Sequence, residues 1–262
     1  MSIYIKNSIM AIGLIFLVGC GSGSSSSSSS SSDSSITTTG KSGSLAQYAV
    51  VGDYLYTVNS GVMDILDISD ASKPKKLSKI HLPWDVETLF AYKNYLYIGG
   101  EDGVYIYDNS NPLLPTSLSQ FIHVESCDPV VVSDDIAYVT LNSSSGCWNG
   151  RYGANRLEIL DVAEPSSPKL IKSLDMWSPT GLGVDDNKLF ICDGDSGLKT
   201  FEITKDDSSG SVEIDLDLKS TDADIDCYDV IADNGTLIVS NRKDIRQFDY
   251  SGSVMEELGR IK

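Results

Sequence analysis

Five acidic side chains recur at one place in five copies of a short pattern. Asp161 closes Leu157-Glu158-Ile159-Leu160-Asp161, and Asp67, Asp108, Glu202 and Asp249 close the segments that begin at Met63, Val104, Leu198 and Ile245. Two carboxylates facing each other across a cleft can divide acid and base roles in glycoside cleavage. The repetition argues for another use. Each acid stands just before a turn rich in Ser, Thr, Asn or Pro, where a carboxylate accepts backbone N–H bonds and closes the strand. We therefore read all five as scaffold.

Residues that break the repeat are better candidates for chemistry, because the scaffold does not require them. The longest break runs from Asn142 to Asn155 and holds Cys147, Trp148, Arg151 and Tyr152. An aromatic and arginine-bearing loop is a natural contact surface, and a covalent tie would lower its ordering cost. The alternative is a loop that packs over its own blade. Trp84 and Trp177 occupy equivalent positions and could stack on a flat ligand or pack between neighbouring blades, and Tyr228 is a further candidate binding residue. Asp85, Asp128, Asp226 and Asp229 gather at the same end of the repeat, where they read either as an acidic rim for a cation or cationic partner, or as solvated charge. Asp193 and Asp195 alternate with Gly194 and Gly197 in a way that could wrap calcium, but a hairpin turn needs the same residue types. His81 and His123 recur at equivalent strand ends and read as edge residues. No phosphate-cradling loop, nucleophile elbow or zinc-helix motif is present, so the expectation is of no catalytic residue and no cofactor.

The elements that position these residues follow from the spacing. Leu45, Val86, Cys127, Pro179 and Cys227 mark equivalent starts separated by 41, 41, 52 and 48 positions, near the roughly 40–50-residue period of propeller blades. Each unit holds four apolar runs with Gly, Asn, Asp or Ser turns between them. In the first unit these fall at about 46–51, 54–58, 62–68 and 75–81. The expected fold is an all-β, five-bladed β-propeller of four-stranded antiparallel blades, at about 45–82, 86–123, 127–175, 179–219 and 227–262. The ring closes either with blades one and five side by side or with a strand lent by residues 36–44. The pattern in Leu157 to Asp161, in Asp128-Pro129-Val130 with Ala137-Tyr138-Val139, and in Gly181-Leu182-Gly183 followed by Leu189 to Asp195 resembles the LVIVD repeat of bacterial envelope propellers. That resemblance implies a fold and a location and carries no catalytic residues. Thr200 and Gln247 depart from it at the isoleucine position.

Four cysteines lie within the repeats. An even number in an exported chain suggests two disulfides. Strand directions place Cys127, Cys147, Cys192 and Cys227 near one face, which favours Cys127–Cys147 and Cys192–Cys227.

The N-terminus points to export. A short basic start ending at Lys6 precedes an apolar run from Ile9 to Gly19, the length of a signal-peptide core. Leu17-Val18-Gly19-Cys20 resembles the lipobox of bacterial lipoproteins, in which the cysteine is acylated and becomes the new N-terminus. Residues 1–19 are thus expected to be a signal peptide and 20–44 a Ser/Gly-rich flexible tether from a lipid-bearing Cys20. The location implied is the cell envelope, and the outer membrane if the host is Gram-negative. The chain carries 37 acidic and 20 basic residues, a net charge of −17, which disfavours nucleic acid as a partner. The reading as a whole is a monomeric, membrane-anchored module that binds a protein or glycan through its loop-bearing face. A polysaccharide hydrolase or lyase and a ligand-free spacer are the alternatives.

Overall fold

The computed structural model describes residues 41–83, 86–100, 102–123, 129–143 and 154–262. Twenty strands form five sheets of four, each taken from consecutive strands with every neighbour antiparallel. Blade one comprises β1 (Tyr48–Val51), β2 (Tyr54–Asn59), β3 (Val62–Asp67) and β4 (Lys75–His81). Blade two comprises β5 (Val86–Tyr92), β6 (Tyr95–Gly100), β7 (Gly103–Asp108) and β8 (Thr116–Ile122). Blade three holds β9 (Val130–Ser133), β10 (Ile136–Leu141), β11 (Arg156–Asp161) and β12 (Lys169–Asp175). Blade four holds β13 (Pro179–Asp185), β14 (Lys188–Asp193), β15 (Leu198–Asp206) and β16 (Glu213–Asp222). Blade five holds β17 (Asp229–Asp233), β18 (Thr236–Ser240), β19 (Ile245–Asp249) and β20 (Glu256–Ile261). The fold is a five-bladed β-propeller. Antiparallel order puts the connections between blades, and those between second and third strands, on one face; the remaining turns lie on the other.

The recurring acids close turns, as their repetition suggests. Asp67 Oδ1 accepts from the Ser69 amide at 2.9 Å and hydroxyl at 2.6 Å, and Asp108 does the same with Ser110. Asp161 takes the Ala163 amide and Asp249 the Ser251 amide. Glu202, one carbon longer, departs from this and accepts from Asn187 Nδ2 at 3.2 Å. The repeat has a second structural signature that its letters hide. In all five blades the pairing of third and fourth strands slips immediately before the penultimate motif residue, at Ile65/Leu66, Ile106/Tyr107, Ile159/Leu160, Thr200/Phe201 and Gln247/Phe248. A bulge at one place in every blade adds local twist and bends the outer strand.

Blades pack face to face through a repeated plug. Tyr56, Tyr97, Tyr138 and Phe190 each hold the third position of their second strand, and all four are fully buried. Across from them on the third strand sit Ile65, Ile106, Ile159 and Thr200. Four apolar cores result, one between each consecutive pair of blades. The equivalent pair in blade five is Ile238 and Gln247. Ile238 is 38% exposed and Ile245 45%, while Tyr48 of blade one is 51% exposed. Among the described residues no apolar core joins blade five to blade one, so the ring has a seam there.

The chain entering blade one spans this seam at the axis. Ser44 Oγ donates to Asp229 Oδ1 at 3.0 Å and accepts from the Leu182 amide at 2.8 Å, while the Leu45 amide reaches Asp229 Oδ2 at 3.4 Å. On the far side, the Leu89 amide of β5 donates to Ala46 at 2.8 Å. A Cβ on Gly43 would stand 2.1 Å from Asp229 Oδ2 and one on Gly181 2.2 Å from Oδ1, so this approach requires glycine at both. Lys41 meets Asp185 and Asp233 at the opposite ends of β13 and β17. Two expectations are corrected here. Residues 41–44, assigned to the free tether, are packed against the propeller, with Ser44 buried. They lead into a turn at Ser44 and Leu45 and lend no strand to any sheet. Asp229 is likewise not part of an acidic rim, because its carboxylate is turned onto this segment.

A staple joins blades four and five. Cys192, at the end of β14, is bonded to Cys227, just before β17, with 5.4 Å between their Cα atoms.

Three outcomes follow from these contacts. Phe190→Ala should lose about 3–5 kcal/mol of unfolding free energy, and Ile238→Ala about 1 kcal/mol or less, in urea titrations of each variant. Burial pushes the Asp229 carboxyl up to about 6, against hydrogen bonds from Ser44, Val230 and Leu45 that favour its charged form. A folded-state value above the usual 3.8 means that stability present below that value is lost as pH rises toward about 6. Wild-type stability measured relative to Asp229→Asn should therefore decline between about pH 4 and 6 and level off above. Closing a 35-residue separation, the Cys192–Cys227 bond should contribute about 3–4 kcal/mol. Cys227→Ser should lose that amount, and reductant should then have no further effect at this site.

Candidate functional site: a trough on the loop-bearing face

Above blades four and five the inter-blade connections leave an open trough with two lobes. One lobe, about 460 Å³, is bordered by Asn155 and Trp177; the other, about 430 Å³, by Asp226, Tyr228 and Arg242. Ser178, Gly194 and Asp195 line both and make them continuous.

The trough is held from beneath by Asp193. This side chain is fully buried at the end of β14, where Oδ1 accepts from the amides of Trp177 at 2.9 Å and Ser178 at 2.8 Å. Lys199 donates to Oδ2 at 2.5 Å. The buried charge is thus paired and hydrogen-bonded, as burial requires, and it fixes the backbone that carries Trp177. A short 3-10 turn at Gly194–Ser196 then lifts Asp195 to the surface. Asp193 is committed to Lys199 and two amides, so calcium held by Asp193 and Asp195 together would have to displace those contacts. Among the described residues, no three His, Cys, Asp or Glu side chains gather as a metal-ligating set.

Trp177 and Tyr228 stand out from the surface, 66% and 44% exposed. For Trp177 this decides between the two readings of the sequence, since its ring is not packed between blades. Asn142 Nδ2 donates to the Pro179 carbonyl at 2.7 Å, tying blade three to the trough floor. Asn155 accepts from the Ser143 amide at 2.9 Å and donates to the Trp177 carbonyl at 2.8 Å. The two feet of the long loop are therefore joined to each other and to the trough. Trp148, Arg151 and Tyr152 on that loop lie outside the described residues, as do Cys20, Trp84, Asp85, Cys127, Asp128 and Cys147. The Cys192–Cys227 bond is present as expected.

Arg242 and Lys243 were not singled out by sequence reasoning. They occupy the turn between β18 and β19, where Asn241 Oδ1 accepts the amides of Lys243 at 2.7 Å and Asp244 at 2.9 Å. This turn projects both cations outward. Lys243 comes within 3.9 Å of Asp226, both well exposed, an arrangement of small energetic weight. The available signal was two adjacent cations in a turn of an acidic chain.

The LVIVD repeat model matches residues 42–79, 85–121 and 152–176. No curated protein matches the sequence. Several solved structures share the architecture. AztD from Citrobacter koseri superposes with a TM-score of 0.56 at 13% identity, over 79% of this chain and 58% of that one. The periplasmic gluconolactonase PpgL of Pseudomonas aeruginosa gives 0.55 at 15% identity, over 80% and 67%. A protein from Lactobacillus plantarum gives 0.58 at 14%, over 79% and 67%. The chain thus spans little more than half the length of AztD, and at these identities the likeness is one of fold. The protein is a five-bladed β-propeller whose first two blades and the outer half of whose third are similar to the LVIVD repeat.

Proposed function

We propose that this protein is a non-catalytic binding module of the bacterial cell envelope, anchored by lipid at Cys20, that holds a protein or glycan partner on its loop-bearing face. The observation that carries the binding reading is the trough itself, where two exposed aromatics and two projecting cations meet at the feet of the longest loop. Exposed aromatic and arginine side chains are the residue types that dominate binding energy when a partner covers them. The anchor reading is supported by the Leu17-Val18-Gly19-Cys20 pattern and the serine-rich stretch behind it.

A polysaccharide hydrolase or lyase is the second reading. Its support is that Asp195 and Asp226 line one trough, and that propellers of similar fold include a gluconolactonase. Fractionation of cells expressing wild type and Cys20→Ser tests the anchor: the variant should leave the membrane fraction. Crosslinking capture from envelope extracts tests the face. The Trp148→Ala/Arg151→Ala/Tyr152→Ala variant and Trp177→Ala should each lose the captured species, and unchanged capture by both would show that the face is wrongly assigned. Release of reducing or unsaturated sugar ends by wild type, abolished in Asp195→Asn, would replace the binding reading with the enzymatic one.

A further inference from the structure

The charges of the trough identify a ligand class. The chain carries a net charge of −17, and three of the four described arginines are matched to a carboxylate: Arg156 to Glu158, Arg246 to Glu257 and Arg260 to Asp244. Arg242 has no carboxylate partner among the described residues, and it lines the trough. An acidic protein repels polyanions at a distance, so such a cation acts at contact, on one charge, and its planar fork suits a carboxylate. The other lobe presents the exposed Trp177 ring, which offers a flat apolar surface. Between them the lining includes Ser178, Thr180 and Asp195, hydroxyl and carboxylate groups suited to alcohols.

We propose that the trough binds a saccharide bearing a carboxylate, with the Arg242 guanidinium on the carboxylate and the Trp177 ring against the apolar face of a neighbouring sugar. The two recognition groups sit in different lobes, so the ligand is an oligosaccharide longer than one unit. The assignment rests on the loop-bearing face being the binding face, and it specifies what that face takes.

Calorimetric titration with three disaccharides, each a single galacturonic, glucuronic or mannuronic acid joined to a neutral hexose and each beside its own methyl ester, tests it. The ester keeps the ring and removes the charge. At least one free acid should bind, with its ester about 10- to 100-fold weaker, the range expected for a charge-assisted hydrogen bond. Arg242→Gln should weaken the acid by a similar factor and leave the ester unchanged, while Trp177→Ala should weaken both. Equal binding of acid and ester, or full acid affinity in Arg242→Gln, overturns the proposal. So does the absence of binding by any of the six probes. If capture by the long-loop face persists in that last case, the face assignment stands and only the ligand class fails. Circular dichroism spectra of both variants matching wild type keep a folding defect from imitating either result.

Discussion

A four-stranded blade has two faces, and the stability of the whole depends on covering both. Blades two, three and four are covered on each side, so their second strands are buried at almost every position. Blades one and five have a neighbour on one side only, and their second strands alternate between buried and partly exposed. The plug that covers a blade is a single aromatic, Tyr56, Tyr97, Tyr138 or Phe190, set against the core of the next. Blade five carries Ile238 at that position, exposed and outside the core that the blade shares with blade four. The disulfide, and the close approach of β17 to β13 through Gly181, reinforce the one apolar interface that this terminal blade possesses.

The trough inherits its rigidity from the same interface. Its floor crosses from blade three to blade four through Asn142 and Pro179, and from blade four to blade five through Cys192 and Cys227. Asp193 organises the middle by holding two amides and one lysine in a place water does not reach. Rigid elements thus fix the positions of Trp177 and Asp195, while the groups that would meet a ligand remain at the surface.

Much of the fold was legible because propeller blades repeat. A period of 41–52 residues and alternating apolar runs sufficed to place the first blade's strands to within two residues. The departure of the fifth repeat, with Gln247 where isoleucine stands in three others, was visible as well. Its meaning was not, because only the assembled ring shows that Gln247 faces a side with no neighbouring blade. The conserved-looking acids could be set aside from position alone, since each precedes a turn it can cap. Arg242 could not be picked out, because pairing across blades is a property of three-dimensional arrangement, and only the structure shows that it makes no ion pair with a described carboxylate although Asp195 and Asp226 line the same lobe. Ser44 was hidden for a related reason. In a serine-rich stretch its composition says tether, and only the buried carboxylate of Asp229 distinguishes it from the serines before it.

Lys41 lies beside the ends of β13 and β17, and three residues later Ser44 has reached Asp229 at the opposite end of β17. The chain therefore climbs the axis from Lys41 before turning outward into blade one, starting on the side away from the trough. Tension applied at Lys41 would be resisted by a few hydrogen bonds beside the seam, while the cores between blades two, three and four would carry none of it directly. The point where the chain enters and the trough thus lie at opposite poles of the propeller.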